Sequence, residues 1–230
     1  MAAESGTSAI TTAVPVRCMK PYRVTKTIWL TPVFHSDAAE VFRVLNLDKS
    51  ISEGLYSSRM TFPFPEECAK RFTERQLEYR TTSGVCRSWA IRSAPEGPMI
   101  GLFALDPFDH GNLGLCYEKE HKDADVGGDQ SEGSEQPLVC GGMGYWISPE
   151  HTGRGIMGQV VTYALSQMAR QEFGYDRVHG EAWVENIASR RVMERAGMHL
   201  TVGEPCYVAK FNATKDVAHY IYDVASASVQ

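Results

Sequence analysis

The run Gly144-Tyr-Trp-Ile-Ser-Pro-Glu-His-Thr-Gly-Arg-Gly-Ile-Met-Gly158 carries residue types suited to holding an anion. A β-rich segment ends at Ser148, a turn follows, and Gly153 and Gly155 precede residues with helical spacing. Glycines at such a junction let successive main-chain N–H groups point outward. They do so at a helix start, where four donors lack partners and the macrodipole is positive. The result is a cradle for phosphate or pyrophosphate, and Arg154 adds a cation beside it. The same glycines also suit a plain strand-to-helix turn, so the cradle is one of two readings. Gly153, Gly155 and Gly158 further match the dinucleotide pattern G-x-G-x-x-G, which would make the chain a nucleotide-dependent oxidoreductase. Two features oppose that: four residues, Pro149–Thr152, separate the strand from the first glycine, and only 72 residues (230 − 158) follow Gly158. A dinucleotide fold needs more β-α units than those can supply.

A second run, Glu181 to Met198, leads from a strand into Asn186, then into a helix that stops at Gly197. Asn186 suits a helix N-cap and Gly197 the residue past a helix end. The period of a strand sets His179, Glu181, Trp183 and Glu185 on one face. A carboxylate partly buried beside His179 and Trp183 would have its pKa raised, which suits a general base. Glu181 and His179 are thus titratable neighbours on one face, and an ordinary solvent-facing glutamate is the competing reading of Glu181. Ser189 places a hydroxyl in the first turn of the following helix, where a surface serine is the plain reading.

Those runs need elements to position them. Lys26–Val33 reads as a strand, Asp37–Leu47 and Pro65–Tyr79 as amphipathic helices, and Val85–Arg92 with Pro98–Leu105 as a hairpin turning near Ala94–Gly97. Leu138–Ser148 is a strand whose Gly141–Gly142 pair marks a bulge or a close backbone approach. Gly158–Phe173 is a helix, Arg177–Val184 a strand, Ile187–Ala196 a helix, and His199–Val202, Tyr207–Phe211 and Ala218–Val224 are strands. Hairpin neighbours combined with one β-α-β crossover predict a mixed, mostly antiparallel sheet of 6–7 strands flanked by about four helices, an α+β fold.

Composition narrows the field. The 230 residues are 43% hydrophobic and 22% charged, as expected of one globular domain. No stretch approaches the ~18 consecutive apolar residues of a membrane span. The net charge of −5 gives no basic footprint for nucleic acid. Six scattered cysteines without a Cys-x-x-Cys pair point to free thiols and no structural metal. With no basic-then-apolar leader at the N-terminus, the expected location is the cytoplasm. Residues 1–20 read as a tail, and 21–225 as the domain. The segment 117–136 holds seven acids, two lysines and three glycines, and reads as a flexible acidic insert within about 110–137. Such a charge could attract a cationic acceptor.

In order and spacing, the Gly-Tyr-Trp strand, the Thr-Gly-Arg-Gly-Ile-Met loop and the Asn-Ile-Ala-Ser…Arg-Ala-Gly-Met helix resemble the GNAT N-acetyltransferases, and within them the RimJ/RimL branch. The resemblance spans Leu138 to Met198 and weakens upstream. It implies a single GNAT-like domain that moves an acetyl group from acetyl-CoA to a primary amine by direct transfer through a tetrahedral intermediate. The acceptor would be a protein or peptide N-terminus or a small-molecule amine, and the protein a monomer or homodimer. The resemblance puts the donor pyrophosphate on Gly153, Arg154, Gly155, Ile156, Met157 and Gly158. It lays the pantetheine arm along Trp146, Ile147 and Ser148, between strands 143–148 and 178–184, with Asn186 and Ser189 near its end. It assigns catalysis to Glu181, with His179 as a second base and Ser189 as proton donor. Tyr56, Phe62, Phe64 and Tyr207 are candidates for the acceptor wall or for the core. The sequence departs from the family at Thr152, where Gln or Arg is common, at Met193, where many members have a tyrosine acid, and in the acidic insert. Those departures keep open a non-catalytic acyl-CoA- or partner-binding module on the same fold.

Overall fold

The computed structural model describes residues 20–108 and 138–224, apart from 56, 58, 59, 202 and 204. The tail, the acidic insert and Tyr56 therefore lie outside the described residues. One nine-stranded sheet runs in the order β1-β2-β3-β4-β5-β6-β9-β7, with β8 paired to β9. The strands are β1 (Tyr22–Arg23), β2 (Trp29–Pro32), β3 (Ser88–Arg92), β4 (Met99–Pro107), β5 (Cys140–Ile147), β6 (Arg177–Trp183), β7 (His199–Leu200), β8 (Pro205–Val208) and β9 (Ala213–Asp223). Every pairing is antiparallel except β5 with β6.

Among the described residues five α-helices flank the sheet: α1 (Ala38–Leu45), α2 (Lys49–Gly54), α3 (Glu66–Ser83), α4 (Ile156–Tyr163) and α5 (Ile187–Arg195). The strand that sequence reading missed is β1, whose two residues carry too little pattern to be read, while the expected strand over His199–Val202 is present as the two-residue β7. The helix that sequence reading missed is α2, one and a half turns long, whose start is fixed by Asp48: its carboxylate accepts from Ser50 N at 2.8 Å. The hairpin at the end of the chain also differs from expectation. β8 ends at Val208, a 3₁₀ turn covers Ala209–Phe211, and Asn212 takes a left-handed conformation (φ 47°) before β9. The expected helix over Gly158–Phe173 begins two residues earlier and passes into a π turn at Ala164–Met168.

The sheet separates two cores. On one face Trp89, Phe103, Leu105, Val178 and Ala182 meet Val160, Val161, Ala164 and Leu165 of the α4 segment and Met193 of α5. On the other face Ala90, Leu102 and Trp146 meet Val41, Val44 and Leu45 of α1, Ile51 of α2 and Ala69 of α3. The central strand β3 is buried along its whole length, because both faces are covered. It carries a buried cation, Arg92, that is fully paired: both Asp37 carboxylate oxygens lie at 2.7 Å, Thr31 Oγ1 at 2.7 Å and Gly97 O at 2.8 Å. Asp37 also accepts from Phe34 N at 2.8 Å, so this buried pair ties the entry to α1 to the β3–β4 hairpin.

The pairing that shapes the site is the parallel one. It covers only Cys140↔Arg177, Gly141↔Val178 and Gly142↔His179. Beyond it β5 follows β4 as far as Ile147, and β6 follows β9 as far as Trp183. The two strands part like a V whose apex is Gly142 and His179. The glycine pair serves a close approach: a Cβ on Gly141 would meet the Tyr175 ring at 2.5 Å.

Candidate active site

The open end of the V leads into the glycine loop. After β5 a 3₁₀ turn covers Pro149–His151, and Gly153 (φ 73°) and Gly155 (φ 71°) follow in the left-handed region. Gly155 is the N-cap residue of α4. Its backbone conformation is strained for any residue with a Cβ, which is why glycine stands there. Gln159 N donates to Gly155 O at 3.1 Å, so the N–H groups of the loop and first turn precede the helical ladder. A Cβ placed on Gly153 or Gly158 would meet nothing within 4 Å, so the space over this end of α4 is open. Arg154 is exposed beside it. The residues fit a multiply charged anion. Among the described residues no His, Cys, Asp or Glu cluster suits a metal ion, and no helix is long and apolar enough to cross a membrane.

Along β5 the structure shifts one sequence expectation by a residue. Ser148 N donates to Ile100 O at 2.8 Å, and Ser148 O accepts from His151 N at 2.8 Å. The main chain of Ser148 is thus engaged with β4 and the turn. Alternation along the strand gives Trp146, paired with Leu102, the same orientation. The main-chain groups aimed into the V belong to Tyr145 and Ile147. Of the three expected partners of a donor arm, Ile147 faces the V and Trp146 and Ser148 do not.

The V's second wall ends at the N-terminus of α5. Asn186 caps it, its Oδ1 accepting from Ser189 N at 3.1 Å. Ser189 Oγ lies 2.7 Å from the Tyr145 hydroxyl, and Tyr145 also reaches Ser189 O at 3.1 Å. Tyr145 crosses from β5 to α5 and spans the V on the face of the larger core. Burial pushes its pKa up to about 12, so it is a neutral donor over the physiological range. Met193, where the family often has tyrosine, is buried beside Met198 and, with the partly buried Met143, packs against Gly180. It closes the V from behind and has no proton to give.

On the opposite face β6 presents His179, Glu181 and Trp183. Glu181 is half-buried and, among the described residues, has no hydrogen-bond or ion-pair partner. Burial without a nearby cation raises its carboxyl pKa. Glu185 does not join them: β6 ends at Trp183, and Glu185 is exposed in an ion pair with Lys215. His179 is buried under Phe108, whose ring stacks on it at 3.8 Å. The face is open opposite Gly144, where a Cβ would meet nothing within 4 Å.

A side wall is built from distant parts of the chain. Trp183 Nε1 donates to Glu53 O at 2.9 Å, and Lys210 Nζ donates to Ser52 O at 2.6 Å and to Leu55 O. The end of α2 is thereby strapped to β6 and the final hairpin. Trp183, Val208 and Val217 form a small apolar cluster beneath the strap. Of the expected wall aromatics, Phe64 is core, while Phe62 and Tyr207 are exposed. The sequence reading missed Tyr145, Lys210 and the strap. Tyr145 lay within the quoted strand motif, and its reach to Ser189 follows from the parting of the strands. Lys210 carries no local signal.

Comparisons with known proteins agree with this architecture. The profile of the acetyltransferase (GNAT) domain family matches residues 27–199. A comparison with curated protein sequences gives no match. Among solved structures, RimJ of Mycobacterium smegmatis in complex with a CoA disulfide is 18% identical, with a TM-score of 0.66, covering 92% of this chain and 88% of that one. An acetyltransferase of Salmonella typhimurium that modifies the N-terminal serine of a large-subunit ribosomal protein is 16% identical, with a TM-score of 0.62, covering 89% and 99%. The microcin C7 self-immunity acetyltransferase MccE, in complex with acetyl-CoA and AMP, is 15% identical, with a TM-score of 0.64, covering 87% and 94%. At these identities the solved structures establish the shared fold, and the profile, which spans most of the chain, establishes the family: this chain belongs to the GNAT acetyltransferases.

Proposed function

We propose that the protein transfers an acetyl group from acetyl-CoA to the α-amine of a protein or peptide N-terminus, as in the RimJ/RimL branch. The observation that carries this reading is the parting of β5 and β6 between a glycine-capped helix end and a half-buried carboxylate, Glu181. The pyrophosphate lies against the N–H groups of Gly153–Gly158, with Arg154 beside it. The pantetheine arm runs down the V along the main chain of Tyr145 and Ile147, and the thioester lies towards the apex. When bound, the donor supplies an activated acetyl group. The chain's own residues supply a base, a shaped slot and donors for the developing oxyanion and thiolate.

An amine is mostly protonated at neutral pH, so a base must remove a proton before attack. Glu181 fills that role. Its raised pKa brings it closer to that of the group it serves, and the open face opposite Gly144 gives the amine an approach. A main-chain N–H of β5 that faces the V would hold the oxyanion. Ser189, fixed by Tyr145, would donate a hydrogen bond to the leaving sulfur.

The relatives' ribosomal-protein substrates support an N-terminal amine over a small amine. Met193 and Thr152 support a second reading, a binding module without turnover. One assay separates these readings. Donor binding is followed by thermal shift with acetyl-CoA, and turnover by thiol release with an N-terminal-serine peptide and with spermidine. A donor at 100 times its Kd adds about 2.7 kcal/mol to stability and raises the melting temperature by several degrees. Peptide-dependent thiol release supports the proposal, spermidine-dependent release moves the acceptor to small amines, and binding without release supports the module.

A further inference from the structure

Two glycines and one ring shape the face of β5 on which an amine would arrive. Gly142, Gly144 and Trp146 alternate onto that face, and Gly142 is the register partner of His179. The place above Gly142 is taken by a residue from elsewhere in the chain. Phe108 follows directly on β4, and its N–H donates to Cys140 O at 2.8 Å. A Cβ on Gly142 would meet the Phe108 ring at 3.1 Å. The same ring stacks on the imidazole of His179, with centroids 3.8 Å apart and planes 4° apart. Phe108 thus stands where a side chain of residue 142 would stand, and the stack holds it there.

The next place along β5 is open. Among the described residues, a Cβ on Gly144 would meet nothing within 4 Å, and its partner on β4 is the small Ala104. Two residues farther on, Trp146 is buried in the core shared with α1 and α2. Gly142 and Trp146 lie about 13 Å apart along the strand, so one side-chain position is left between an aromatic ring at either end. Across the parted strands, Glu181 is the next residue on this face of β6 after His179. The result is a slot one side chain wide. Its floor is Gly144 and Ala104, its end at the apex of the V is Phe108, and the candidate base stands at its side.

We propose that this slot receives the side chain of the acceptor's N-terminal residue, with Phe108 as the end wall that selects small first residues (glycine, alanine or serine) over large ones. This rests on the reading given under Proposed function and names the acceptor class within it. In that reading the amine lies over Gly144, between Glu181 and the thioester. The α2 strap beside Trp183 bounds the peptide main chain, which leaves the first Cβ to point towards Phe108. A methyl or a hydroxymethyl group fits a position that Gly144 and Ala104 leave vacant. A leucine or phenylalanine side chain would run into the Phe108 ring. That ring cannot retreat, because His179 lies against its face and Gly142 beneath it. Contacts of this kind discriminate about 10- to 200-fold per methylene. Phe108 makes and breaks no bond; it acts on the acceptor by shape alone.

The test is thiol release from acetyl-CoA with four peptides that differ only in their first residue: Gly, Ser, Leu and Phe. For the wild type, kcat/KM should favour the Ser peptide over the Leu peptide by about tenfold or more. Phe108→Ala removes the end wall, and that ratio should fall about tenfold. Gly144→Ala adds a methyl that meets no neighbour and fills the slot from its floor. It should raise the Gly-over-Ser ratio several-fold, and it decides the matter if Phe108→Ala does not fold. A purely structural Phe108 would lower all four peptides together and leave the ratios in place. Equal use of Ser and Leu peptides by the wild type overturns the proposal, and so do wild-type ratios in either folded variant. Failure of the wild-type protein to acetylate any of the four while binding acetyl-CoA overturns the parent reading, and the slot's role with it.

Discussion

The two ends of the V are built by different means. On the proposed reading the donor end is main chain: Gly153 to Gly158 are contiguous, and their N–H groups and the open space over them would receive the donor. The end proposed for the acceptor is side chain: Glu181, His179 and Trp183 from β6, and the α2 strap held by Lys210 across 158 residues of sequence. A main-chain cradle depends on conformation and tolerates changes of side chain, except where a Cβ is forbidden. A side-chain wall depends on tertiary contacts, and each member fails on its own. The largest effect on donor binding should therefore come from a change that breaks the cradle's conformation. Gly155→Val places a β-branched residue at φ 71° at the head of α4. Acetyl-CoA affinity measured by calorimetry should fall about 100-fold or more, since backbone strain and blocked approach act together. An unchanged Kd would mean that the donor does not sit on this loop.

The corresponding change at the acceptor end removes chemistry and leaves binding intact. Glu181→Gln should lower kcat by about 10²–10³-fold with no change in donor Kd, the usual span for a positioned base. Stability should move the other way. The folded-state pKa of Glu181 is raised by burial, so its ionised form disfavours folding. That cost is absent below the unfolded-state pKa and complete above the folded one. At neutral pH the amide should therefore melt at or above the wild-type temperature, a trade of stability for activity confined to one residue. In the wild type, the acidic limb of kcat/KM should lie above the range of an ordinary glutamate. A variant that melts lower and keeps its turnover would make Glu181 a structural residue.

The same contrast explains what could be read from the sequence. Gly153, Gly155, Asn186 and Gly197 act where they stand in the chain, so their spacing reports their work; the α5 cap and these three left-handed glycines follow from residue type alone. The period of two placed His179, Glu181 and Trp183 together on β6, and it did so because β6 is regular as far as Trp183. Glu185 fell outside because the strand ended first. Trp146 and Ser148 were assigned to the wrong edge of β5, since alternation gives two sets of main-chain groups and only the β4 register selects between them. Lys210 carries no local signal at all; its position is set by the hairpin that joins β8 to β9.

The strap gives a milder test of the acceptor wall. Lys210→Met removes an ammonium that holds the carbonyls of Ser52 and Leu55. It keeps much of the stem that packs at the hairpin. Loosening α2 should raise the KM for the peptide amine about 3- to 10-fold, as expected for losing a partly exposed charged hydrogen bond, with donor Kd unaffected. A matching rise in donor Kd would show that the two ends of the V are not independent.

The smallest effect is expected where the two ends touch. Tyr145 belongs to the donor strand, yet its hydroxyl meets Ser189 at the head of α5. Two arrangements satisfy the geometry. The Tyr145 proton goes either to Ser189 O, which leaves the serine proton on the tyrosine oxygen, or to Ser189 Oγ, which frees the serine proton to point into the V. With its pKa near 12, Tyr145 is a poor acid for a thiolate, so its contribution is to hold the serine rotor rather than to protonate sulfur. Tyr145→Phe should lower kcat only a few-fold, and Ser189→Ala by a similar or larger factor. The double variant should match Ser189→Ala, because the tyrosine acts through the serine. Single effects that add in the double variant would give Tyr145 its own contact with the donor, and would join the two ends of the V into one chemical unit.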